Sequence, residues 1–247
     1  MPQSTPPQNN DPADFAKKLT LLHTLKGHSL AVSGIVISQG TRIIVSGSFD
    51  GTIKIWNAMD GILLRTITPT EATDDEFPHD SVLSVALSPD ARTIVSGQWH
   101  ENTKVWNTVD GTLLRTLEGP GGSVGSVAFS PDGRTLYVAC WDIHIWNALD
   151  GTLLHTLKGH KGKAICVALS PDGRTIASGG SQHFSRSSRS GGREKDKTIK
   201  IWNALDGTLL RTLKAHPYSV ERIAFSPDGR TIVSGSGDGT IKVWGMR

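Results

Sequence analysis

From residue 19 onward the chain is a succession of short apolar–polar alternations broken by tight-turn residues. The first unit shows the plan. Leu25-Lys-Gly-His28 leads into Val32-Ser-Gly-Ile-Val-Ile37, then Thr41-Arg-Ile-Ile-Val-Ser46, Thr52-Ile-Lys-Ile-Trp56 and Ile62-Leu-Leu-Arg-Thr66. β-Branched residues at a period of two predict half-buried strands, four to a unit. Turn chemistry sits between them. Ser-Pro-Asp-Gly recurs at 130–133, 170–173 and 226–229, with Pro pre-set for the first corner of a turn. Asp-Gly at 60–61, 110–111, 150–151 and 206–207 turns the chain into each fourth strand. Residues 1–18 break the pattern. The Pro/Gln/Asn-rich start from Met1 to Asn10 has little apolar area to bury, which predicts a disordered leader; a short helix opening at Asp11-Pro12 is the alternative.

The unit recurs five times. Each copy ends its third strand on a tryptophan, Trp56, Trp106, Trp146, Trp202 and Trp244, at spacings of 50, 40, 56 and 42 residues. A repeat of roughly 40–45 residues with Trp at a strand end marks one four-stranded blade per copy, the two wide gaps being insertions. With the Gly-His pairs at 27–28 and 159–160 and the Ser-x-x-x-Asp-Gly steps Ser46–Asp50 and Ser234–Asp238, the pattern resembles the WD-repeat (tryptophan–aspartate repeat) β-propeller family over roughly residues 20–247. Asn follows Trp in four copies where that family usually has Asp.

The resemblance implies an all-β, five-bladed propeller of four-stranded antiparallel blades over residues 19–247, and a non-catalytic scaffold binding a protein or peptide through its top face. It also implies how the ring closes. The last repeat stops at Val243-Trp244 after its third strand, and Leu21-Leu-His-Thr-Leu25 matches the fourth strand Leu209-Leu-Arg-Thr-Leu213. In such propellers the N-terminal strand completes the last blade, so a closed monomeric ring is expected here, with association between chains the alternative.

Ser, His and Asp recur together as in a hydrolase triad: His28, Ser46, Asp50 with Trp56; His160, Ser178, Asp196 with Trp202; His216, Ser234, Asp238 with Trp244. The resemblance assigns them to a hydrogen-bonded network inside each blade. Three parallel active sites in one small chain, without a nucleophile elbow or oxyanion loop, argue the same way. Repeat 2 keeps Ser96 and Trp106 but has His100 for Asp, with His79 one residue out of register. Repeat 3 has Pro120 for His and Val138 for Ser and keeps only Asp142 and Trp146. Blades 2 and 3 are therefore expected to be the less stable side.

Function is expected where the copies disagree. An acidic loop, 69–80, enters repeat 2; a Ser/Arg-rich loop, 181–195, splits repeat 4 and carries Arg186 and Arg189 among Ser185, Ser187, Ser188 and Ser190. Either they form a bipolar docking surface open to phosphorylation, or they are tolerated insertions. The residue before the turn Asp is Phe49, Trp99 and Trp141 in consecutive blades, then Lys195 and Gly237. These aromatics either form a hot-spot patch or fill the space that the missing networks leave. Ser33, Leu83, Gly125, Ile165 and Glu221 are the central top-face candidates; mostly uncharged, they suit a peptide better than a phosphate.

Composition narrows the classes. With 26 basic and 23 acidic residues no global field argues for nucleic acid, so a nucleic-acid or phospho-ligand role through residues 181–195 is the alternative function. Lys54, Lys104, Lys200 and Lys242, with Arg65, Arg115 and Arg211, read as guards of solvent-facing strand edges. Cys140 and Cys166 lack metal-ligand spacing and read as buried thiols. No catalytic residue, cofactor or metal is expected. No targeting or membrane-spanning stretch is evident, so the expected location is the cytoplasm.

Overall fold

The structure, a computed structural model, describes residues 20–38, 40–69, 81–99, 102–119, 122–181 and 196–245. These residues fold into five antiparallel sheets, each with its strands in sequence order. Blade 1 is β1 (Val32–Ile37), β2 (Ile43–Ser48), β3 (Ile53–Asn57) and β4 (Leu63–Ile67). Blade 2 is β5 (Val82–Leu87), β6 (Thr93–Gln98), β7 (Thr103–Asn107) and β8 (Leu113–Leu117). Blade 3 is β9 (Ser126–Phe129), β10 (Thr135–Ala139), β11 (Ile143–Asn147) and β12 (Leu153–Leu157). Blade 4 is β13 (Ala164–Leu169), β14 (Thr175–Gly180), β15 (Thr198–Asn203) and β16 (Leu209–Lys214). Blade 5 has three strands, β17 (Val220–Phe225), β18 (Thr231–Ser236) and β19 (Ile241–Gly245). Among the described residues no helix is long and apolar enough to cross a membrane.

The core lies between blades. Val45, Ile53 and Ile55 of blade 1 meet Val82, Val85, Ile94 and Trp106 of blade 2. In the same way Tyr137, Ile143 and Ile145 of blade 3 meet Val167, Ile176 and Trp202 of blade 4. Alternation along each strand thus sends one set of side chains to each neighbouring blade, and the tryptophan faces the blade before its own. Each such buried aliphatic side chain contributes about 1.5–3 kcal/mol, so the blades stabilise one another. Second-strand glycines set how closely they approach. A Cβ at Gly47 would lie 2.6 Å from Val82 Cγ1, one at Gly97 2.4 Å from Val124 Cγ1, and one at Gly179 2.8 Å from the Val220 side chain.

The ends differ from the closed ring expected above. Residues 20–31 form no strand, and β19 has β18 as its only partner strand among the described residues. On β1, Val32, Ile35 and Ile37 are 54%, 69% and 62% exposed; on β19, Ile241 and Val243 are 73% and 69% exposed. Interior blades bury the positions equivalent to Val32, Ile35 and Ile241 and bury or half-bury the other two, so blades 1 and 5 each leave a face uncovered and the five blades form an open arc. The expected closing segment lies against blade 1: Leu25 packs over Gly61, and the His23 ring bonds the Met59 carbonyl at 2.8 Å.

Candidate functional site

The Ser–His–Asp sets are built by the blade itself. The loop before the first strand brings the histidine to the second strand's serine, and the turn after that strand brings the aspartate. In blade 1 the Trp56 indole N–H donates to Ser46 Oγ at 2.9 Å, Ser46 Oγ lies 2.8 Å from His28 Nε2, and His28 Nδ1 lies 2.9 Å from Asp50. Blade 4 repeats this with Trp202–Ser178 at 2.9 Å, His160–Ser178 at 2.7 Å and His160–Asp196 at 2.8 Å. Blade 5 does so with Trp244–Ser234 at 3.0 Å, His216–Ser234 at 2.8 Å and His216–Asp238 at 3.0 Å. The donors run in one order: indole N–H to serine oxygen, serine O–H to Nε2, and Nδ1–H to carboxylate. Although burial raises the Asp50 carboxyl, hydrogen bonds from Thr52, the Ser29 amide and His28 outweigh it and lower it to about 2. In Asp196, burial is likewise outweighed by bonds from His160 and Thr198, and the carboxyl lies well below its usual range. The distances are those of a triad, but the serines are buried and each oxygen already accepts an indole N–H.

Blades 2 and 3 hold less. Blade 2 keeps the Trp106–Ser96 bond at 2.9 Å; His79 and His100 lie outside the described residues. In blade 3 Val138 stands where the serine would be, and Trp146 Nε1 and His144 Nε2 are buried without a partner. A small cavity lined by Val138, Cys140, His144, Trp146, Val124 and Leu117 lies there. Neither Trp99 nor Trp141 is among its lining residues, though the Trp141 ring packs beside Gly122, which is.

Phe49, Trp99 and Trp141 lie just beyond the ends of the second strands β2, β6 and β10. Phe49, Trp99 and Trp141 are 40%, 46% and 41% exposed. Their backbones are fixed: the Phe49 amide donates to Ala31 O and the Trp99 amide to Ser81 O, each at 3.0 Å, while Trp141 O accepts the Ala164 amide at 3.2 Å. Two features were missed from sequence. Lys163 Nζ lies 5.2 Å from the centre of the Trp141 ring, and burial holds its ammonium below the usual range. Exposed Tyr218, before the first strand of blade 5, has Lys197 Nζ 5.8 Å from its ring centre. The usable signal was a lysine or aromatic in the loop just before a first strand.

Of the central candidates, Ser33, Leu83, Ile165 and Glu221 are each the unpaired residue of a register shift at the start of β1, β5, β13 and β17. Such bulges re-aim a side chain. Gly125 precedes β9 and packs on the Ile165 backbone. Arg186, Arg189, Lys195 and the serines between them, most of loop 69–80 and the 1–18 leader lie outside the described residues.

Comparison with known proteins matches the description "WD domain, G-beta repeat" at residues 19–57, 75–107, 111–147, 151–203 and 207–245, one match per blade. The chain belongs to the WD-repeat family. One WD-repeat relative, Nuclear distribution protein PAC1 of Arthroderma benhamiae, is 28% identical over 245 residues, 98% of this chain and 42% of its own length. Lissencephaly-1 homolog 1 of Paramecium tetraurelia is 47% identical over 53 residues, 22% of this chain and 13% of its own length. WD repeat-containing protein 75 of Mus musculus is 48% identical over 48 residues, 19% and 6% of the two chains. The chain therefore spans less than half the length of each.

The strand lysines of these WD repeats require a correction. Lys54 and Lys200 are buried rather than guarding an edge, donating to Thr66 and Thr212 of the outer strands at 2.9 and 3.0 Å. They lie on third strands, so their stems are covered by the blade while the ammonium reaches a hydroxyl. His144 takes that place in blade 3, with Nδ1 3.1 Å from Thr156 Oγ1. Cys140 and Cys166 are buried free thiols, and burial pushes Cys166 up to about 12.

Proposed function

We propose that this chain is a non-catalytic scaffold that docks a peptide or protein segment on its top face. The row Phe49, Trp99 and Trp141 carries this reading: three large rings at one turn position on adjacent blades, each about two-fifths exposed. Aromatic side chains dominate binding hot spots because they bury large area at little entropic cost. Lys163 beside Trp141 and Lys197 beside Tyr218 favour a segment that carries acidic as well as apolar side chains. In this reading the Ser–His–Asp sets are structural, supported by the burial of Ser46, Ser178 and Ser234.

Selection from a displayed random-peptide library tests it. The wild-type chain enriches peptides of mixed acidic and aromatic character, and the Trp99→Ala/Trp141→Ala variant, melting within a few degrees of wild type, loses at least about tenfold in affinity for them. Undiminished binding by the variant, or enrichment of no peptide, overturns the reading.

A further inference from the structure

The two uncovered ends of the arc are complementary halves of one blade junction. The segment 21–25 lies on blade 1 as the outer strand of a preceding blade would. Leu25 packs over Gly61 as Ile67 packs over Gly111, Leu117 over Gly151 and Leu157 over Gly207. His23 bonds the Met59 carbonyl as Arg115 of β8 bonds the Leu149 carbonyl of blade 3. Segment 21–28 also covers the outer part of blade 1, where Gly27 lies against Trp56, which is 3% exposed. Blade 1 thus has a preceding outer strand in place and lacks the three inner strands behind it. Blade 5 is the opposite: three inner strands and no outer one among the described residues.

The faces match side chain by side chain. Val82 and Val220 fill the hollows over Gly47 and Gly179 of the preceding blades. Gly235 is the equivalent hollow on blade 5, with nothing within 4 Å of its added Cβ, and Val32 is the equivalent exposed knob on blade 1. Ile241 and Val243, 73% and 69% exposed, stand where blade 1 buries Ile53 and Ile55 at 0% and 2%. Ile35, 69% exposed, stands where Val85 and Val167 are buried at 8% and 6%.

We propose that the occupant of both ends is a second copy of this chain, blade 5 of one copy stacking on blade 1 of the next. Segment 21–25 of the second copy then pairs with β19 of the first and gives blade 5 its fourth strand. Continuity with the junctions inside the chain supports this: the glycine hollow with its valine knob recurs at three of the four, and so does the outer-strand contact, and here the same parts are divided between the two ends. Because the two surfaces differ, the contact is head-to-tail, and each copy keeps one free end for another.

Sedimentation of the full chain and two variants tests this. The wild type sediments at masses of at least twice its 26.5 kDa, rising with concentration. Gly235→Arg, which fills the hollow, and Val32→Asp, which charges the knob, are each monomeric. Mixed together they form a dimer and nothing larger, since one intact end remains on each. Both positions are solvent-facing, so circular dichroism and melting temperature stay near wild type; should either variant unfold, Ile241→Asp or Ile35→Asp replaces it on the same face. A monomeric wild type, a single variant that still assembles, or a mixture that stays monomeric overturns the proposal, the first of these also covering closure within one chain.

Discussion

Ser178 is fully buried, accepts the Trp202 indole N–H at 2.9 Å and sits 2.7 Å from His160 Nε2. Ser178→Ala strands both nitrogens inside blade 4, a loss of about 1–3 kcal/mol that urea unfolding will read. The converse holds in blade 3. Val138→Thr keeps the volume and offers an oxygen to the unpartnered Trp146 N–H, so stability rises by about 1 kcal/mol; a lower unfolding midpoint would count against it. The aspartates set an acid limit. Asp50 is lowered from 3.8 to about 2 in the folded chain, so its stabilisation is complete above the unfolded carboxylate value and fades as pH falls from about 4 toward 2. Melting temperature against pH should drop through that window, less steeply in Asp50→Asn. The members of these networks were legible because they recur in order at matched spacing. The orphaned His144 nitrogen was not, since a missing partner across the sheet leaves no mark on the residue that lost it.

The four strands of the first unit were legible to within two residues, whereas Leu21–Leu25, read as a strand closing the last blade, forms none. The run Val32–Ile37 is β1 as expected, while the next three runs lie one or two positions further along in the structure. Alternation and turn residues act over a few positions, which is why they place strands well and boundaries less well. Bulges escaped notice: Ser33, Leu83, Ile165 and Glu221 alternate like their neighbours, and only pairing with the second strand reveals them as extra residues. Between interior blades, the network count ranks stability. Blade 4 holds a complete Trp–Ser–His–Asp chain and blade 3 holds none of these bonds, so amides of β10 and β11 should exchange faster than those of β14 and β15. Equal or slower exchange in blade 3 would mean that packing, not polar pairing, decides local stability.

At the scale of the molecule, Phe49, Trp99 and Trp141 occupy equivalent turns on adjacent blades because the repeats are similar, and that equivalence was readable once the repeats were aligned. Lys163 against Trp141 was not, because the two belong to different blades 22 residues apart. Local patterning alone determined that this chain makes antiparallel blades of a WD-repeat kind, since period-two burial, turn glycines and repeat spacing each act within one unit. Whether those blades meet end to end was decided only in three dimensions. Neighbouring blades meet through contacts such as Val82 in the hollow at Gly47, which join residues of different repeats and which no single repeat encodes. The same positions, Val32 and Gly235, are left uncovered at opposite ends.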